Sequence, residues 1–541
     1  MKEEKLYRII ELIGALAVAG ILLVLLALDN RFHYVYQSFC KVPNLVFAAL
    51  IAVLLGGCYL LRKRRMLFFR KQDMKKSDSA PMAKLRLQLE RRNLLILSAF
   101  LLGVQLIVAW QIYFKTGWDC GKLVKMAQEV AFQYRDIGND LYFSMYPNNV
   151  LLVAVFAAVL RFTKFLGFQA DYFPLVMIGC LLVNMAGFFM ADCIRKLTRK
   201  NWIALAAWGM YMVLCGLSPW ISIPYSDTYS ILFPILCIWL YMYRTERKKY
   251  VVWGGIVFVG WIGSFIKPTV LLVVLGLIAL ELWHFICDYR KTGFHKAERK
   301  KLFRSAAGIL TAVIFAVLLA NGINETARYK MGFRPIEGKK FTPLHYMMMG
   351  LNYDTGGTYD QWDVNYSAAA ESVSERNRNA LQQIGHRVSD MGVTGLGAHA
   401  ARKLLTNFND GTFAWGREGE FYWNIQEKNT GLSTALRNYY YESGSAYPVF
   451  QVITQAMWIL VLCLMVCLMI PGKGNPDRTT AAVVLSVLAI ICFVMLFEAR
   501  ARYLYLYSPV FILAAALGLQ RFLEKTSPDE NTCPAGKLQE K

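Results

Sequence analysis

Stretches of about twenty apolar residues recur along this chain, separated for the most part by short polar connectors. Wound as a helix, such a run spans the roughly 30 Å hydrocarbon layer of a bilayer. It also satisfies every backbone N–H and C=O within itself, which lipid requires. Twelve candidate spans follow: 6–28, 42–61, 94–114, 172–193, 202–217, 228–243, 251–266, 269–286, 302–320, 448–470, 480–497 and 503–519. Only 18% of the 541 residues are charged and 56% are hydrophobic, whereas a soluble domain carries about a quarter charged residues. The pattern predicts an all-α polytopic membrane protein with about twelve transmembrane helices.

A net charge of +23 invites a nucleic-acid reading, but the basic residues crowd into connectors between spans. They form RKRRMLFFRKQDMKK within 62–92, IRKLTRK at 194–200, RTERKK at 244–249 and DYRKTGFHKAERKK at 288–301. That is the positive-inside pattern, so these four connectors are expected in the cytoplasm, with the first lying on anionic headgroups. Segment 117–149 is then outside and 194–200 inside, yet two apolar stretches, 150–160 and 172–193, lie between them. The first is short and is followed by Arg161 and Lys164. We therefore expect 150–168 to be a juxtamembrane or re-entrant helix on the outer side.

The implied organisation is a membrane domain over 1–320 with a first outer loop at 115–149, and an extracytoplasmic loop domain over 321–447. C-terminal spans at 448–520 and a polar cytoplasmic tail at 521–541, expected to be disordered, complete it. The twelve cysteines lie mostly within spans and show no CxxC or Cys/His metal spacing. Cys40 and Cys120 share the outer side, and a bridge between them stays open.

Charged residues at the outer ends of spans carry the functional signal, because ionisable groups near hydrocarbon are costly. Asp119 stands just beyond a span, ahead of an amphipathic stretch at 122–134 suited to lying in the interface. It reads as a general base or as a helix N-cap. Asp136 and Asp140 are rival acids in the same loop. Asp227, in SPWISIPYSDTYS (218–230), has the same two readings. Lys267 in SFIKPT (264–269) suits an anionic phosphate or a Pro-marked turn. Arg500 and Arg502, in FEARARYLYLYSP (497–509), fall on the side that disfavours cations, which calls for an anionic partner, with Glu498 available to pair with one of them. The large loop contributes HYMMMGLNYDTGGTYDQWDVNYS (345–367) and NFNDGTFAWGREGEFYW (407–423), whose aromatics mixed with Asp, Asn and Gly suit carbohydrate, a lid or a structural role.

Taken together, Asp119 in the first outer loop, KMAQEVA (125–131), YPNN (146–149), IPYSD, FIKPT and RARYLYLYSP occur in an order that resembles the GT-C class of polytopic membrane glycosyltransferases. The closest likeness is to the protein O-mannosyltransferase and aminoarabinose-transferase branch. The resemblance implies a GT-C-like fold with a mixed extracytoplasmic loop domain, Asp119 as catalytic base and Asp227 as a second acid. Lys267, Arg500 and Arg502 would grip the phosphate of a polyprenyl-phosphate-sugar donor, with Asn148, Asn149, Tyr225, Glu498 and His345 in support. It further implies metal-independent inverting transfer to a glycan, lipid or protein acceptor, with no cofactor, at the extracytoplasmic face of a bacterial plasma membrane. Two departures separate this chain from the branch: Cys120 stands where mannosyltransferases have Glu, and Tyr146-Pro147-Asn148 stands where the aminoarabinose enzymes have Lys-Pro-Pro. A transporter or flippase of lipid-linked sugars is the alternative, which would show polar residues deep in the spans or two matching halves. A scaffolding membrane protein is a third reading, opposed by the outer arginines.

Overall fold

The computed structural model describes residues 2–29, 40–68, 80–167, 172–291, 295–419, 422–425, 430–472 and 477–525. Three helices open the chain: α1 (Lys2–Leu28), α2 (Asn44–Phe68) and α3 (Ala80–Ile112). Strand β1 (Phe114–Thr116) leads into α4 (Trp118–Phe132), α5 (Leu141–Met145) and α6 (Asn149–Phe165). Helix α7 (Phe173–Thr198) precedes α8 (Asn201–Tyr211), which runs on as a π-helical turn, Met212–Gly216. Then come α9 (Ser226–Ser230), α10 (Leu232–Met242), α11 (Lys249–Ser264), α12 (Leu271–Lys291) and α13 (Lys296–Lys330). The long segment after α13 carries α14 (Pro343–Gly350), α15 (Gln361–Ala369), α16 (Val373–Phe408), β2 (Tyr422–Ile425) and α17 (Gly431–Tyr440). Helices α18 (Tyr447–Val466), α19 (Arg478–Leu496) and α20 (Arg502–Lys525) complete the described chain.

Among the described residues, nine helices are long and apolar enough to cross a membrane: α1, α2, α3, α7, α12, α13, α18, α19 and α20. Three shorter apolar segments, Asn201–Gly216, Ser226–Met242 and Lys249–Ser264, coincide with the remaining expected spans. The protein is an all-α polytopic membrane protein; its small antiparallel ribbon, β1 with β2, ties the segment before Asp119 to the long loop.

Several boundaries differ from expectation. Helices α2 and α3 extend into the basic connector 62–92, and its centre, 69–79, lies outside the described residues, as does the proposed headgroup contact there. Helix α13 continues to Lys330, beyond the expected end at 320. At the tail, 521–525 are still helical, with Gln520 donating to Glu524 (2.8 Å) and Arg521 to Glu11 (3.1 Å), while 526–541 lie outside the described residues. In the expected segment 150–168, α6 (Asn149–Phe165) packs against α4, α7 and α13, and residue 168 lies outside the described residues.

The last helix forms the most enclosed part of the bundle. Val510 through Ala516 of α20 are each at most 3% exposed, and α7, α8, α18 and α19 pack around this helix. Gly518 lets α18 come close, since a Cβ there would meet the Leu464 carbonyl oxygen at 1.8 Å. Amide side chains of α3 and α7 pair inside the bundle, as a low-dielectric interior favours. Asn184 donates to Gln105 (3.0 Å), and Gln105 donates to the Gly216 carbonyl (2.7 Å).

The long loop is not independent of this bundle. It has a small apolar centre of its own at Phe341, Met349 and Val364. Leu405, Phe408, Phe413, Trp415 and Tyr441, however, lie in the core of the helical bundle. That burial removes Trp415 from any sugar-stacking role: its indole packs edge-on to Trp220 (5.4 Å) and donates to the Tyr440 carbonyl (2.7 Å).

Candidate active site

Asp119 is delivered by a tight reversal. Gly117 caps α4, Trp118 takes a positive φ of 37°, and Asp119 enters the first turn, where the helix N-terminus favours a carboxylate. Its side chain does not cap the helix; Oδ2 accepts a hydrogen bond from the Tyr225 hydroxyl at 3.2 Å. Beside it stands Tyr142, held by Asn149 Nδ2 (2.9 Å), whose phenol is pushed well up by burial and then by the Asp119 carboxylate. Asn148 donates to the Ile266 carbonyl (3.3 Å), tying the start of α6 to the Lys267 connector. Of the rival acids, Asp140 caps α5 by accepting from the Phe143 N–H (3.2 Å).

Asp227 does not cap a helix either, since Tyr225 occupies that position. Its Oδ1 pairs with Lys267 Nζ, and its Oδ2 lies 3.5 Å from Arg502 Nε. Burial pulls the Lys267 ammonium below the usual lysine range, against the opposing pull of Asp227. The same ammonium lies over the Tyr503 ring, 4.6 Å from its centre.

The two arginines are bridged by a residue that sequence reasoning passed over. Glu418 Oε2 is 2.9 Å from Arg500 Nη1 and 3.4 Å from Arg502 Nε. Glu498 Oε1 accepts from Arg500 Nε (2.7 Å), and its Oε2 accepts from the Tyr503 hydroxyl (2.8 Å). Burial works to raise the Glu498 pKa, but Arg500 and Tyr503 override it and leave the group below its ordinary value. Four carboxylates (Asp119, Asp227, Glu418, Glu498) thus stand among three cations (Lys267, Arg500, Arg502).

That balance bears on chemistry, because the cations are already compensated. Unmet capacity nevertheless remains. Among the described residues, Arg502 Nη1, Trp118 Nε1 and Glu418 Oε1 are buried without a hydrogen-bond partner. Arg502 lays its guanidinium 4.7 Å from the Trp118 ring and 5.1 Å from the Tyr225 ring. Two orphaned donors on adjoining groups form a place where an anionic oxygen would be accepted.

The long loop clamps the segment that carries Glu498 and Arg500. Asn407 Oδ1 accepts from the Arg500 N–H (2.9 Å), Gly357 O from the Ala499 N–H (2.7 Å), and Phe497 O from Lys403 Nζ (2.5 Å). Gly350 lies so close to Phe497 that a Cβ would fall 2.4 Å from its carbonyl. These contacts join residues about 90 to 150 apart in sequence, and they fix a connector that would otherwise be a mobile turn.

Asp119, Tyr225, Asp227, Lys267, Glu498, Arg500 and Arg502 are therefore brought together, with Asn148 and Asn149 bracing the same loop. His345 is not in this cluster. It sits in the apolar centre of the loop, 4.2 Å from Phe341, with Nδ1 2.7 Å from Ser367 Oγ. Burial pushes its imidazole down to about 4. Cys40 and Cys120 are free thiols; Cys120 Sγ donates to the Pro224 carbonyl (3.3 Å), and burial pushes it up to about 12.

A family model described as "Conserved hypothetical integral membrane protein" matches residues 73–522. The chain belongs to that family. No curated protein is similar enough to match. The matched span takes in every residue of the cluster around Asp119. Among the described residues, no group of three or more His, Cys, Asp or Glu side chains is arranged to hold a metal ion.

Proposed function

We propose that this membrane protein is a glycosyltransferase of the GT-C kind, transferring a sugar from a polyprenyl-phosphate donor to an acceptor at the extracytoplasmic face of a bacterial plasma membrane. One observation carries the reading: Asp119, beside Tyr225, stands across Trp118 and Tyr225 from Arg502, whose Nη1 has no hydrogen-bond partner among the described residues. A proton acceptor and a cation with an open donor are the two parts that transfer from a lipid phosphate needs. The basic connectors support the sidedness, because they put the opposite ends of these spans in the cytoplasm.

Asp119 takes the proton of an acceptor hydroxyl as that oxygen forms its bond to the anomeric carbon. The bond between that carbon and the phosphate oxygen breaks, and the electron pair leaves with the polyprenyl phosphate. Arg502, with Trp118 Nε1 beside it, meets the charge that grows on the leaving phosphate, while Lys267 and Arg500 set the local potential. Asp227 and Glu418 hold the cations in position before the donor arrives.

The test uses the full chain in lipid nanodiscs. Lipid that co-purifies is identified by mass spectrometry, and turnover of that polyprenyl-phosphate sugar is followed. Asp119→Asn should lower turnover by about 10³-fold while the lipid is still retained, within the range for loss of a general base. Undiminished turnover in Asp119→Asn removes the proposal.

A further inference from the structure

Away from this cluster, α6 and the end of α13 line an open groove of about 510 Å³. Its wall is apolar and made of small or aliphatic side chains: Ala154, Val155 and Ala158 on α6, Ile323 and Ala327 on α13. Its rim carries Arg161 and Lys330. Both are exposed, and among the described residues neither has a carboxylate within ion-pair distance. Glu129 is committed to Arg135 (2.8 Å) and Glu325 to Arg328 (3.1 Å), while the Asp136 carboxylate lies against Gly332, outside ion-pair distance of either rim cation.

The surroundings give the depth. Helix α13 has 35 residues, roughly 50 Å, so it outlasts a hydrocarbon layer of roughly 30 Å. The expected span ends at 320, which puts the turns from Ile323 to Lys330 at headgroup level. The end of α6 exposes Phe162 (61%) and Phe165 (85%), and Lys164 lies over the Phe132 and Tyr134 rings. Exposed aromatics interleaved with cations mark an interfacial belt.

We infer that this groove binds a phospholipid with an anionic headgroup, its phosphate held between Arg161 and Lys330 and its upper acyl carbons lying along Ala154, Ala158 and Ala327. Charge decides the occupant. An apolar wall alone would take any acyl chain, but two uncompensated cations at its mouth select a headgroup with net negative charge. The inference rests on the membrane class of the protein and not on the proposed transferase activity.

Native mass spectrometry of the full chain, titrated with phosphatidylglycerol or phosphatidylcholine of equal chain length, reads the preference directly. Wild-type protein should favour phosphatidylglycerol about tenfold, the equivalent of about 1.4 kcal/mol and within what two interfacial cations supply. The Arg161→Gln/Lys330→Gln double variant should bring that ratio close to one. Ala158→Trp, which fills the groove, should lower occupancy by both lipids. Equal binding in the wild type, or a preference that survives the double variant, overturns the inference. So does displacement of phosphatidylglycerol by an equimolar polyprenyl phosphate, because the groove then belongs to that lipid. Melting temperatures in lipid-free detergent verify that each variant is folded; if the double variant does not fold, loss of the wild-type preference at high salt decides the same question.

Discussion

Tyr225 donates its hydroxyl to Asp119 at 3.2 Å and presents the same ring to the Arg502 guanidinium at 5.1 Å. One aromatic side chain thereby joins the acid delivered by the loop after α3 to the cation at the start of α20. Neither neighbour is close to it in sequence. On the proposed mechanism Tyr225 orients the base, so Tyr225→Phe should lower turnover about tenfold and leave retention of the lipid donor unchanged. A matching loss of donor retention would show that the hydroxyl acts in binding instead.

Glu418 bridges two buried arginines. Glu418→Gln leaves them undercompensated, and breaking a buried pair costs about 3–5 kcal/mol. The variant should melt well below wild type in detergent. Added polyprenyl phosphate should restore part of the loss, because its charge replaces the missing carboxylate. Absence of any such rescue, in a scan of melting temperature against ligand, argues that no phosphate enters beside Arg502.

Lys267 and Asp227 form a largely buried pair, with side chains 12% and 3% exposed. Lys267→Met and Asp227→Asn should each destabilise the protein by about 3 kcal/mol, whereas the double variant should cost clearly less than the sum. A double-mutant cycle by chemical denaturation measures this coupling, and additive losses would rule out the pairing.

His345 gives stability a pH dependence of defined sign. Burial holds its imidazole at about 4 in the folded protein, against an unfolded value of 6.5. As pH falls below 6.5 the unfolded chain binds a proton that the folded chain refuses. Stability is therefore fully present above that value and declines toward pH 4, by about 3 kcal/mol at most. The melting temperature of wild type should drop more steeply over this window than that of His345→Gln. Parallel curves would remove the assignment.

Much of this protein was legible in its sequence. The helices at 6–28, 448–470 and 480–497 announce themselves through local hydropathy, and so does α6 as an apolar stretch too short and too basic at its end for an ordinary span. Candidate residues at span ends, from Asp119 to Arg502, were also visible, since an ionisable group beside a hydrophobic run is conspicuous. Glu418 was not. It is an ordinary acid in an aromatic loop, and its place between Arg500 and Arg502 depends on Phe413 and Trp415 being buried against Trp458 and Trp220. His345 shows the converse: its motif suits a site by composition, and the structure packs it against Phe341 in the loop's own centre.

By itself, then, the sequence determined that the chain lives in a membrane, how many apolar segments it has and in what order, because hydropathy over some twenty residues acts within one segment. Only the tertiary structure decided which charges meet. Pairing Lys267 with Asp227, and Glu418 with both arginines, joins side chains 40 to 84 positions apart, and it holds only where helix packing strips water from both partners at once.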